Sequence, residues 1–341
     1  MPKVNPDILK WARETAGLSL EDAAKAIQLN AGRGVSGGRR LAALEAGLDA
    51  LIRDVRSRHD VVKSLLEDEE VEPLAFVASL RVADGASAVA DSIQKTIGFD
   101  LAEFRRARGV DAAFAYLRDR LERSGIFVLL LGNLGSYHSN IESAAFRGYA
   151  IADRIAPFII INDNDAHAAW PFTALHETAH LWLGQTGISG ASHEAAVERF
   201  CNDVAGQLLL PDHELRAISA NRLASLTDSL ETISAFAGQR NVSRRMVAYL
   251  LLRSKKIDSE RYQELTNRFY RDWLRSREND RADKREGPSR YVVLWHRLGP
   301  ALVGLARRNL ELGTLSPMKA SRLLGVSPGA VRTFLHPATG R

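Results

Sequence analysis

A single cysteine, Cys201, stands in 341 residues. An internal disulfide and every cysteine-rich metal cluster are thereby excluded, so a metal site here must be built from histidines and carboxylates. Long apolar runs are also missing. The longest uninterrupted aliphatic or aromatic stretch, Ile126 to Leu131, falls far short of the roughly 20 residues that cross a bilayer. The N-terminus MPKVNPDILKW has no apolar signal-peptide core. Membrane partners are not expected, and the expected location is the cytoplasm. No large excess of one charge sign is present: the net charge is +5 with a pI of about 9.4, which permits nucleic-acid contact without requiring it. With 45% hydrophobic and 26% charged residues, the chain has the composition of an ordinary globular protein, long enough for two or three domains.

The apolar pattern divides the chain. Residues 1–47 read as short helices separated by the Gly-rich break AGRGVSGG and closed by Ala46-Gly47, a helix-turn-helix-like segment. A helical region is expected over 48–124: an amphipathic helix with apolar residues at 48, 51, 52, 55, 61, 62, 65 and 66, a helix over 84–97 with Asp84 able to cap it, and another over 100–123. IFVLLLG, FRGYAIAD and PFIIIND are short, rich in β-branched and aromatic residues and separated by turns, which predicts a small sheet. Two strong helices follow at about 171–184 and 191–210, the second stopped by Pro211. The core is therefore placed at 125–215. Then come a helical, helix-turn-helix-like region at 216–274, a charged linker at 275–290 without apolar periodicity, and a helical region at 291–341. AFAGQRNVSRRMVAYLL (235–251) and KASRLLGVSPGAVRTFL (319–335) share a helix, Val-Ser turn, helix pattern; each reads as a compact helical pair built on a capping serine, with a DNA-reading unit as the alternative. The fold class is α+β, mostly helical, with a small sheet packed on a zincin-type helix pair.

HETAH spans 176–180. Helical residues four apart lie about 40° apart around the axis and about 6 Å along it, so His176 and His180 can ligate one ion together. Zinc accepts neutral imidazole readily, and Glu177 would project beside its open position as general base. A catalytic zinc needs a third protein ligand. Seventeen residues separate His180 from Glu198, and a turn at Gly184 to Gly190 would fold the next helix back and bring Glu198 to the two histidines. Glu194, one turn earlier, is the second choice. Cys201, Asn202 and Ala205 share the stripe of Glu198 as small groups that allow close helix approach, and Asn202 can orient a ligand through a hydrogen bond. Cys201 reads as a small buried core residue. His193 lies near the turn and could assist an oxyanion; His167 reads as a surface residue, and Asp163 and Asp165 as a strand end and helix cap.

At PFIIINDNDAHAAWPFTALHETAHLWLG and EAAVERFCNDVAGQLLLP the chain resembles the ImmA/IrrE family of zinc metallopeptidases. The resemblance covers about 125–215, with Cys201 where the family has alanine. It implies one zinc ion on His176, His180 and Glu198 and the base on Glu177. PDILKWARETAGLSLEDAAKAI and RLAALEAG resemble the repressor-type (XRE) helix-turn-helix often fused to this peptidase, without its last two helices. The resemblance further implies a protein substrate, a helix-turn-helix repressor cleaved in a stress or mobile-element response. DNA and a toxin are further partners it suggests. A regulator or antitoxin-like protein that uses the peptidase fold for sensing or docking is the alternative role.

Overall fold

The computed structural model describes residues 37–336 except 134, 136–138, 142, 144–145, 187–190 and 283–286, and leaves aside the side chains of 37–45, 191–195 and 280–282. Most of the expected N-terminal helix-turn-helix unit, residues 1–36, thus lies outside the described residues.

The first described helix, α1 (Gly37–Asp68), runs straight through Ala46-Gly47, where the sequence suggested a boundary. Glycine in a helix interior costs only about 1 kcal/mol relative to alanine. Against that, α1 buries Leu48, Leu51, Val55, Val62 and Leu65 along one stripe, each contributing about 1.5–3 kcal/mol if fully covered. α2 (Ala86–Ile97) starts at Gly85 and takes no side-chain cap from Asp84, whose carboxylate instead accepts from the N–H of Arg81 at 2.7 Å. The helix expected over 100–123 is two, α3 (Leu101–Arg106), capped by Asp100, and α4 (Val110–Arg123).

All three segments expected as strands form strands: β1 (Phe127–Leu130), β2 (Gly148–Ile151) and β3 (Phe158–Ile161), in the order β1-β3-β2. β1 runs parallel to β3 with Phe127 opposite Phe158; β2 runs antiparallel to it with Gly148 opposite Ile161. Side-chain alternation splits the sheet between two cores. Val128, Leu130, Ala150, Ile159 and Ile161 face one, and Phe127, Leu129, Ile151, Phe158 and Ile160 the other. Both faces are covered, which is why the strands read as continuous apolar runs.

The first core holds α5 (Trp170–Trp182) and α6 (Ala191–Leu209), then the short α7 (Asp212–Arg216), α8 (Leu226–Gly238), α9 (Arg244–Arg253) and α10 (Ser259–Ala282). α10 carries the chain to Ala282, so the first half of the expected 275–290 linker is helical. Apolar periodicity does end at Leu274, but Arg277 beyond it stacks over Trp273 and donates to the carbonyl of Asn164. The second core joins α1 to α11 (Arg290–Leu298), α12 (Pro300–Glu311), α13 (Pro317–Leu324) and α14 (Val331–Leu335). α8 and α9 form the first of the two Val-Ser helix pairs. Ser243 caps α9, and Met246, Val247, Ala248, Leu250 and Leu251 are buried in the core that also holds α5.

The two outer strands differ. Beside β1, the buried Arg118 of α4 donates to the carbonyls of Val128 and His296 and to Glu122 Oε1, while Glu122 Oε2 accepts from the N–H of Ala301. This pin ties β1 to α11 and α12. On β2, among the described residues, no hydrogen bond reaches the edge of Gly148–Ile151 that faces away from β3.

Candidate metal centre

α5 is buried on nearly every side: of its residues only Phe172 is not. A helix enclosed this way presents its polar groups to a pocket rather than to bulk water. Trp182 anchors its C-terminal end, stacked on Phe76 and donating through Nε1 to Ser92 Oγ. The helix stops at Gly184, which adopts φ +65° and lies against Ala78, so that a Cβ there would strike it. α6 then packs back along α5 and brings Glu198 to the two histidines.

The three donors meet. His176 Nε2 lies 3.1 Å from Glu198 Oε2, His180 Nε2 lies 3.1 Å from Glu198 Oε1, and the two Nε2 atoms are 3.1 Å apart. Ligand atoms about 2.0–2.1 Å from one tetrahedral ion would be separated by roughly 3.3 Å. The observed spacing is that of a first coordination shell, and one donor atom from each of the three residues lies within 4.8 Å of the others. Lone pairs converging at such distances repel unless a cation or a proton sits among them. The electrostatics agree: burial lowers the pKa of His180, yet hydrogen bonds with Cys201 and Glu198 outweigh it and raise it to about 10. These residues fit a metal.

Around them lie an amide that can orient a ligand and a buried carboxylate. Asn202, one turn beyond Glu198, places Oδ1 2.8 Å from His176 Nδ1. Accepting from an Nδ1–H fixes the tautomer that leaves Nε2 free to ligate. Glu177 is buried, and a Cβ added to Gly148 would stand 2.5 Å from Thr173 Cγ2, 2.9 Å from Glu177 Oε1 and 2.9 Å from the carbonyl of Ile160. The first residue of β2 is therefore a glycine where the carboxylate of Glu177 presses on the strand. Sequence reasoning did not single out Gly148; the Arg-Gly step opening FRGYAIAD was its only trace. It also missed Asn162, whose Nδ2 donates to the carbonyls of Ile141 and Phe146 and so anchors the chain leading into β2.

Other expectations fall as follows. The side chains of His193 and Glu194 lie outside the described residues. Cys201 is fully buried in the core. His167 is exposed beside Asp111 and Trp170. Asp165 Oδ1 accepts from the N–H of Ala166, whereas Asp163 pairs with Arg297 at 2.6 Å. No described helix is long and apolar enough to cross a membrane.

No curated protein and no solved structure matches the chain. Residues 123–252 match the family model Peptidase_M78, the IrrE N-terminal-like domain. That span contains the sheet, the HETAH helix, Glu198 and the α8–α9 pair, and it is this part of the chain that the match identifies as similar to ImmA/IrrE metallopeptidases.

Proposed function

We propose that the protein is a zinc-dependent endopeptidase in which His176, His180 and Glu198 hold the ion and Glu177 is the general base. The observation that carries this reading is the convergence of two imidazole nitrogens and a carboxylate on one point, beside a buried glutamate that touches the start of an open strand. A zinc ion held there supplies Lewis acidity, acidifying a water and polarising a peptide carbonyl. Glu177 receives the proton of the attacking water and passes it to the leaving amine. The peptide lies extended along the outer edge of β2, whose free main-chain groups fix its register. Enclosure of α5 keeps bulk water from the carboxylate. The resemblance favours a helix-turn-helix repressor as the substrate.

The test compares zinc-loaded wild type with Glu177→Gln on purified helix-turn-helix repressor proteins, read as new fragments by mass spectrometry. Wild type should cut, and Glu177→Gln should cut at least about two orders of magnitude more slowly while keeping its zinc. Equal cleavage by the two proteins contradicts the assignment of the base.

A further inference from the structure

Arg147 stands immediately before β2, one residue from the glycine on which Glu177 presses. Its side chain is 33% exposed, and the anion it faces is Asp165, with Nη1 and Oδ2 3.7 Å apart. That is too long for a hydrogen bond. The same Oδ2 is buried without a hydrogen-bond partner, while Oδ1 is committed to the N–H of Ala166 at 2.9 Å. Among the described residues the pair is thus held open, with donor capacity on the guanidinium left for another acceptor. Arg245 of α9 adds a second positive charge. Burial lowers the pKa of Arg147, Asp165 offsets part of this, and Arg245 lowers it again. The guanidinium at this end of β2 thus lacks a hydrogen-bonded carboxylate, which a second anion would supply.

We propose that Arg147 is a specificity-determining residue that takes a carboxylate of the bound peptide within about two residues of the cleaved bond. The inference rests on the peptidase reading. A peptide paired along β2 has its reacting bond next to Gly148, where Glu177 waits. Strand residues advance about 3.3 Å each, so an arginine one position away reaches side chains within roughly 7 Å of that bond. A guanidinium binds carboxylate with two parallel hydrogen bonds, which sets it apart from a merely attractive charge. Aspartate or glutamate side chains and a chain-terminal carboxylate offer the same chemistry.

The test uses binding, so that it stands apart from catalysis. Zinc-loaded Glu177→Gln protein is presented with two random peptide libraries, one with both ends blocked and one with a free C-terminus. Enrichment of Asp and Glu in the blocked library assigns a side-chain carboxylate; enrichment confined to the free library assigns the terminal one. The best peptide should bind about tenfold more tightly than its Gln or amide counterpart. Adding Arg147→Gln should abolish that difference. Asp165→Asn, which keeps the bond to Ala166 and removes the competing charge, should widen it about threefold. No enrichment in either library, or an equal loss of both peptides on Arg147→Gln, overturns the proposal. Should the wild type fail to cut peptides that bind in this carboxylate-dependent way, the peptidase reading fails, and what stands of the proposal is Arg147 as a carboxylate-binding residue.

Discussion

β1 and β2 both flank β3, with strands of equal length, yet the fold treats them in opposite ways. Beside β1, the buried Arg118 caps the Val128 carbonyl and links it to α11 and, through Glu122, to α12. An unpaired strand edge is a template for adding another strand, and here that template is closed. On β2 the corresponding edge carries no such cover among the described residues, and the side chain beside its first residue is Glu177. A strand left open by neglect would be a liability. One left open next to a buried carboxylate and three converging donors is where an extended peptide can be held and worked on. On the proposed reading, stability is concentrated at one edge and chemistry at the other.

Three substitutions separate these roles. The largest effect is expected at the closed edge. Burial raises the pKa of Glu122 despite the neighbouring Arg118, so the pair depends on both partners. Arg118→Met strands a buried carboxylate and should cost about 3–5 kcal/mol in urea unfolding, with peptidase activity per folded molecule unchanged. Arg118→Met with Glu122→Leu should recover much of that stability. Activity lost in proportion to neither stability nor zinc would break the comparison. Next comes the open edge: Gly148→Ala drives a methyl against Thr173 and Glu177 of α5, and displacing the proposed base by about 1 Å should reduce kcat about a hundredfold with zinc retained. Unchanged kcat would mean that Glu177 does not act from this position. The smallest effect is assigned to Asn202→Leu, which leaves His176 Nδ1 without its acceptor and should weaken zinc binding about tenfold, measured by competition with a chromophoric chelator. Undiminished affinity would remove Asn202 from the site.

Much of this site was legible in the sequence because helical periodicity is local. A spacing of four residues puts His176 and His180 on one face whatever surrounds them, and the glycine turn limits where the next helix can return Glu198. The three strands were legible from their β-branched runs. The division of labour between the edges was not, because it depends on partners far apart in sequence: Arg118 with His296, Glu122 with Ala301, Gly148 with Glu177. Glycines misled twice. Gly47 reads as a stop, yet α1 passes through it because the buried stripe from Leu48 to Leu65 outweighs its cost. Gly148 reads as an unremarked strand residue, yet its lack of a side chain gives Glu177 its place. The charged run after Leu274 reads as linker since it lacks an apolar face, but its arginine can stack on Trp273 and continue the helix.

The most direct test is the metal content of four purified proteins after zinc loading and dialysis: wild type, His176→Ala, Glu198→Gln and Glu177→Gln. Wild type and Glu177→Gln should each retain one zinc per chain, while His176→Ala and Glu198→Gln, each missing one of the three converging donors, should retain little or none. Full occupancy in His176→Ala, or equal loss from Glu177→Gln and Glu198→Gln, would contradict the assignment of ligands and base.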